Sequence, residues 1–179
     1  MGLYAAAREG NLKKCKSFIA QGDNNFNGAL VESAQGGHLD ICKFFISKGA
    51  DDFNWALKAA ARGGHLDICK FLVAQGANDF NGALHEASRG GHLDICTFFI
   101  SKGADCIFWA LVIASQNGHL NLCKYLIQKN GDLQLYKQIA LCNAAQGGHL
   151  ELCKYLIQNN GIIVNSRDLK LYKQINLFK

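Results

Sequence analysis

The sequence predicts an all-α solenoid, a stack of antiparallel helix pairs joined by short loops with little or no β-hairpin. Three observations carry this. Gly-Gly-His-Leu-Asp-Ile-Cys occurs three times, with histidines at His38, His65 and His92. Looser copies follow at His119 and His149, so the steps are 27, 27, 27 and 30 residues. A constant period of this length marks small units that bury their apolar faces against one another instead of around one closed core. Within each period the apolar residues fall twice at helical spacing. Proline is absent and glycine occurs 19 times, so the turns must be made by Gly and Asn.

The repeat from Asn81 to Gly103 shows the elements. Leu84, Ala87 and Ser88 stand at i, i+3 and i+4, one helical face of small residues. Asn81 is a candidate N-cap, because its side-chain oxygen can accept from first-turn amides. Gly90-Gly91 ends this first helix, helix A, since glycine takes a positive φ at little cost. Helix B follows His92, with Leu93, Cys96, Phe99 and Ile100 as its apolar face. Asp94 lies in its first turn, where the helix dipole favours an anion, and Gly103 closes it. Asp40 with Lys43 and Asp67 with Lys70, three residues apart, predict exposed pairs worth about 0.3 kcal/mol each.

Along the chain, Leu3 to Gly22 matches the repeat from partway through helix A. Asn11 stands there for the histidine, and Lys13-Lys14 stand for Asp-Ile, as suits an N-terminal capping unit with a polar outer face (residues 1–22). Full repeats occupy 27–49, 54–76, 81–103, 108–130 and 138–160. The first and third are near copies, and the second shares its Ala-Gln-Gly end with the capping unit, which points to duplication of a two-repeat block. Leu135-Tyr136-Lys137-Gln138-Ile139 recurs at Leu171 to Ile175. Residues 161–179 are therefore expected to be a longer linker, Ile162 to Lys170, plus a C-terminal half repeat, within one array spanning 1–179. That half repeat either caps the array or opens a further unit of a longer protein.

These residues resemble the ankyrin repeat. Ala83-Leu84-His85-Glu86-Ala87-Ser88 followed by Gly91-His92-Leu93-Asp94-Ile95-Cys96 is similar to that family's Pro-Leu-His-x-Ala-Ala-x-x-Gly-His-Leu-Glu-Val-Val, and Gly103-Ala104-Asp105 to its Gly-Ala-Asp end. The family's usual period is about 33 residues. Here 27 suffice, and the deficit falls between Gly76 and Gly82, where the family has its β-hairpin finger. The family's Thr-Pro is replaced by Gly28-Ala29, Trp55-Ala56, Gly82-Ala83 and Trp109-Ala110. Short-fingered arrays of this style resemble those of large DNA viruses of amoebae, of protists and of intracellular bacteria.

What the resemblance implies is a non-enzymatic protein–protein interaction scaffold, host-directed if its style of sequence reflects its origin. In the family, partners are bound by the fingers and by the C-terminal part of helix A on the concave side. Carried over, those positions include Gln35, Arg62, Arg89, Gln116 and Gln146 before the Gly turn, with Asn117 beside them. Glu32, Glu86, Ile113 and Asn143 lie one turn earlier. Trp55 and Trp109 begin helix A in alternate repeats, either as interface anchors or as filling over Phe53 and Phe108. The alternative is a structural or self-assembling array, associating through its terminal units, or the adaptor segment of a longer effector.

Other classes fare worse on the residues. His-x-x-x-Cys recurs on helix B, but equivalent residues in adjacent repeats stand about 10 Å apart, too far to share a zinc ion. Those histidines are expected to bond across the Gly-Gly turn instead. No Cys–His pair stands out as an activated nucleophile, and the Gly-Gly pairs lack the Lys-Ser/Thr of a phosphate loop, so no catalytic residue, metal or cofactor is expected. The net charge of +5 arises from lysines spread once per repeat, which argues against nucleic acid. No apolar run reaches membrane-span length, so a membrane is not expected either. Six of the eight cysteines (Cys15, Cys42, Cys69, Cys96, Cys123, Cys153) hold one register between apolar neighbours, like small buried hydrophobes. Free thiols point to a reducing compartment, cytosol or nucleus, in the host if the source is a virus or an intracellular bacterium.

Overall fold

A computed structural model describes residues 2–129 and 134–160 of the chain. The expected linker and C-terminal half repeat at 161–179 lie outside the described residues, as does Asn130-Gly131. Two compact units are present, Met1–Ala104 and Asp105–Lys179. The N-terminal unit holds four helix hairpins: α1 (Leu3–Arg8) with α2 (Leu12–Ala20), α3 (Phe26–Gly36) with α4 (Leu39–Ser47), α5 (Phe53–Gly63) with α6 (Leu66–Ala74), and α7 (Phe80–Gly90) with α8 (Leu93–Ser101). The C-terminal unit holds α9 (Ile107–Gln116) with α10 (Leu120–Lys129), and α11 (Gln134–Gln146) with α12 (Leu150–Asn160). No strand occurs among the described residues, as the missing finger predicts.

In each unit the A helices stack directly on one another, α1 on α3 on α5 on α7, and α9 on α11. Small side chains permit this. Ala56, Leu57, Ala60 and Ala61 of α5 are all completely buried, as are Ala83, Leu84, Ala87 and Ser88 of α7. Two of the buried serines of the N-terminal unit's A helices bond back to their own helices: Ser33 Oγ donates to Leu30 O at 2.9 Å and Ser88 Oγ to Leu84 O at 2.7 Å. Each also touches the cysteine of its hairpin, Ser33 to Cys42 at 3.2 Å and Ser88 to Cys96 at 3.6 Å.

The B helices bury Ile41, Cys42 and Phe45, then Ile68, Cys69 and Leu72, then Ile95, Cys96 and Phe99. This corrects the expected face of α8, which keeps Cys96 and Phe99 but takes Ile95 in place of Leu93. Ile95 is buried, whereas Leu93, at the first helical position, is exposed. All six in-register cysteines are buried and free. Burial pushes the Cys42 thiol up to about 11 and those of Cys69 and Cys123 to about 12, so they stay protonated at neutral pH and behave as apolar side chains.

The Gly-Gly turn uses its two glycines differently. Gly64 is left-handed, φ +86°, and terminates α5. Gly63 is helical, but a Cβ there would lie 2.6 Å from the Gln35 carbonyl oxygen and 2.7 Å from the His65 ring. The first glycine thus lets adjacent repeats approach, and the second turns the chain.

Two local expectations are corrected. The N-cap of α7 is Asp79, whose carboxylate accepts the Gly82 N–H at 2.9 Å; Asn81 lies inside the helix. The equivalents of Asn81 in the preceding repeats have another task. Asn27 Oδ1 accepts the backbone N–H of Asp51 at 2.8 Å and of Asp52 at 3.2 Å, and Asn54 Oδ1 accepts those of Asn78 and Asp79 at 2.8 and 3.0 Å. One asparagine per repeat thereby satisfies loop amides that a β-hairpin would otherwise pair. Finally, neither Asp40 nor Asp67 pairs with the lysine three residues on. Lys43 reaches across to the Phe71 ring of the next repeat, 5.8 Å from its centroid, as Lys16 does to Phe44. The pair does form where the acid is one methylene longer, Glu151 with Lys154 at 3.0 Å.

Candidate partner-binding surface

The A helices of the N-terminal unit carry the candidate surface. Equivalent residues follow at the 27-residue step, so side chains from α3, α5 and α7 come to lie side by side. Val31 and Gln35 of α3, Trp55, Lys58, Ala59 and Arg62 of α5, and Glu86 of α7 line one open groove of about 190 Å³. Four of the positions expected from sequence (Gln35, Trp55, Arg62 and Glu86) meet there.

Trp55 is 63% exposed, although it sits in a stacked fold that buries its helix neighbours Ala56 and Leu57 completely. It does not fill the core over Phe53. The Lys58 ammonium, one helical turn on, stands 3.9 Å from the indole centroid and also reaches the Asp79 carboxylate at 3.2 Å. Asp79 is held below the usual carboxylate range, first by the Gly82 N–H and then by Lys58. Lys58 therefore ties the tryptophan to the cap of the next helix.

Charge on this face is organised around carboxylates. Arg89 donates from Nη1 to both oxygens of Glu86, at 2.9 and 3.1 Å, and His85 Nδ1 lies 3.5 Å from one of them. Arg62 contacts the same carboxylate at 3.9 Å. Two repeats earlier, Arg8 contacts Glu32 through Nε at 2.6 Å and donates from Nη2 to Gln35 Oε1 at 2.7 Å. The arginines stand outside their acids: Arg62 is 55% exposed and Glu86 20%.

In the C-terminal unit the expected residues fare differently. Trp109 is 60% exposed while resting edge-on against Phe108, ring centroids 5.3 Å apart. Gln116 and Gln146 are exposed at the ends of their helices. Ile113, expected on the surface, is buried with 8% exposure, because an aliphatic side chain at that position turns into the core where Glu86 could not. Asn117 donates its amide to Ile113 O at 2.9 Å and so closes its own helix. Asn143, inside α11, donates its amide to Ile139 O, also at 2.9 Å.

The repeated histidines are spent within the fold. Their Nε2–H groups donate not across their own turns but to carbonyls of the preceding repeat: His38 to Arg8 at 2.9 Å, His65 to Gln35 at 3.1 Å, His92 to Arg62 at 3.0 Å and His149 to Gln116 at 2.8 Å. Three of these acceptors are the backbones of residues expected to bind partners, Gln35, Arg62 and Gln116, so the histidines set where those side chains begin. Asn11, which stands at the histidine position of the first hairpin, caps its own helix, accepting the Lys14 N–H at 3.0 Å. Among the described residues no three His, Cys, Asp or Glu side chains gather as a metal site requires, and no helix is long and apolar enough to cross a membrane.

Sequence reasoning did not pick out Arg8, Val31, Lys58 and Ala59 of this surface. Two signals were available: Arg8 precedes Gln35 by one period, and Lys58 follows Trp55 by one helical turn.

A family model described as ankyrin repeats, in three copies, matches residues 3–81, 54–108 and 84–168. No curated protein matches the chain. Ankyrin repeats mediate protein–protein interaction, typically as non-enzymatic scaffolds. With helix hairpins stacked through small A-helix residues, and with a family match over most of its length, the chain belongs to the ankyrin-repeat family.

Proposed function

We propose that this chain is a non-enzymatic protein-interaction module that holds its partner against the A-helix face of the N-terminal unit. The observation that carries the reading is the convergence of Gln35, Trp55, Arg62 and Glu86 on one groove, with an indole 63% exposed at its edge. Tryptophan and arginine are enriched among the few residues that carry most of the binding energy of an interface. Because the finger is missing, the partner meets helix A directly. The buried, protonated thiols support a reducing compartment, cytosol or nucleus. There a host-directed array would meet a host protein.

Affinity purification from that compartment tests the reading. Partners retained by the chain should be lost from a Trp55→Ala, Arg62→Ala, Arg89→Ala variant whose circular dichroism is unchanged. The same partners on both baits would overturn the assignment of the face.

Self-association is the second reading, favoured by Trp109 and Leu135 of the C-terminal unit, 60% and 66% exposed. Light scattering at several concentrations checks it; a mass independent of concentration would count against it.

A further inference from the structure

We infer that the groove of the N-terminal unit takes a linear acidic segment of a protein partner. A large apolar side chain of that segment lies against Val31 and Ala59, and a neighbouring Asp or Glu carboxylate lies on the Arg62 guanidinium. This rests on the reading of that face as a partner surface and adds the chemistry of what it takes.

The argument is a balance of hydrogen-bonding groups. Acceptors around the groove are already engaged. Glu86 takes Arg89 on both oxygens, Gln35 Oε1 takes Arg8, and Asp79 takes the Gly82 N–H and Lys58. Donors are left over. Gln35 keeps its amide N–H groups and Trp55 its indole N–H. Arg62 has five N–H donors and one ion contact, at 3.9 Å, while 55% exposed. Unspent donors beside the apolar Val31 and Ala59 complement an acceptor, and a guanidinium fork fits a carboxylate through two parallel bonds.

Valence decides between a carboxylate and a phosphate. Glu86 sits beside Arg62 and already offsets part of its charge, so the site suits a single negative charge and repels a second. Size decides the rest. A groove of about 190 Å³ is of the scale of one large side chain and not of a folded domain.

The full chain is the bait for selection from a phage library of random linear peptides. The best peptide is then synthesised together with a counterpart carrying Asn and Gln for its Asp and Glu. Both are titrated against the wild type, Trp55→Ala and Arg62→Gln. The selected peptides should carry an acidic residue beside a large apolar one. The amide counterpart and Arg62→Gln should each weaken binding ~10-fold or more, without adding when combined, and raised salt should weaken it further. Peptides that lose affinity with Trp55→Ala but are neutral, or indifferent to Arg62→Gln, would overturn the acidic class while leaving the face as a binding surface. Binding indifferent to Trp55→Ala, or no selected peptide at all, would overturn the reading of the face itself. Competition for the peptide site by a single-stranded oligonucleotide or by phosphatidylserine vesicles would assign it to another kind of partner and overturn the inference.

Discussion

Trp55 in the N-terminal unit and Trp109 in the C-terminal unit hold the same place in the repeat, yet their surroundings differ. Trp55 carries a lysine 3.9 Å over its ring and edges a groove. Trp109 stands on Phe108, which in turn contacts Tyr136 with ring centroids 4.9 Å apart. The place held by Glu86 in α7 is held by Ile113 in α9; the carboxylate gathers cations and the isoleucine is buried. One backbone plan thus gives a charged, grooved face in one unit and a more apolar one in the other. Repetition sets where side chains start, and a handful of substitutions decide what the face can bind.

The comparison can be broken most forcefully in the cores. Leu57 and Leu141 are both completely buried. Replacing either with Ala should cost about 2–5 kcal/mol, through lost burial and the cavity left behind. Single-tryptophan variants separate the units, Trp55 reporting the N-terminal one and Trp109 the C-terminal one during urea unfolding. Leu57→Ala should lower mainly the Trp55 midpoint and Leu141→Ala mainly the Trp109 midpoint. Equal shifts at both reporters would show a single cooperative array.

Binding comes next. Trp55→Ala should cost the partner complex about 2 kcal/mol or more while changing stability by about 0.5 kcal/mol or less. Trp109→Ala should leave that complex unchanged; calorimetric titration of both variants checks the contrast. Equal losses would mean that the two units share the binding surface.

The histidine bridges sharpen the comparison at smaller scale. His92→Ala and His149→Ala each remove one Nε2–H bond to the preceding repeat and should cost about 1 kcal/mol, one in each unit, measured by denaturant midpoint. A negligible change in both would make the bridges ornamental.

Thiols give the subtlest contrast. The four cysteines of the N-terminal unit are buried, whereas Cys106 and Cys142 of the C-terminal unit are half-buried. A thiol reagent added to the folded chain should label Cys106 and Cys142 first. The buried thiols also predict an alkaline slope. In the unfolded chain a thiol loses its proton near its usual value of about 9, but the folded Cys69 holds it to about 12. Their contribution is thus complete below pH ~9 and falls as pH rises from there towards 12. A chain with Ala at Cys42, Cys69 and Cys96 should show a shallower alkaline loss.

Much of the fold was legible because its signals are local. Gly at the end of helix A needs a positive φ, and Leu84, Ala87 and Ser88 fall on one face whatever their partners. The errors were also local. Asn81 was the natural candidate for a cap, yet Asp79 takes that role because asparagines at that register serve the next loop, some 24 residues on. Leu93 and Ile95 compete for the inner face of α8, and helical spacing alone does not choose between them. The site was legible in part. Position within the repeat pointed to Gln35, Trp55, Arg62 and Glu86, but not to the burial of Ile113 or to the use of Asn117 by its own helix.

The sequence by itself determined the helix hairpins, their register and the loss of the finger, since periodicity and glycine conformation act over a few residues. Only the tertiary structure decided which side chains meet. The groove joins residues one and two periods apart, and each histidine reaches 30 or 33 residues back. Such pairings arise only once neighbouring A helices pack flush, which the buried alanines and the close approach at Gly63 allow.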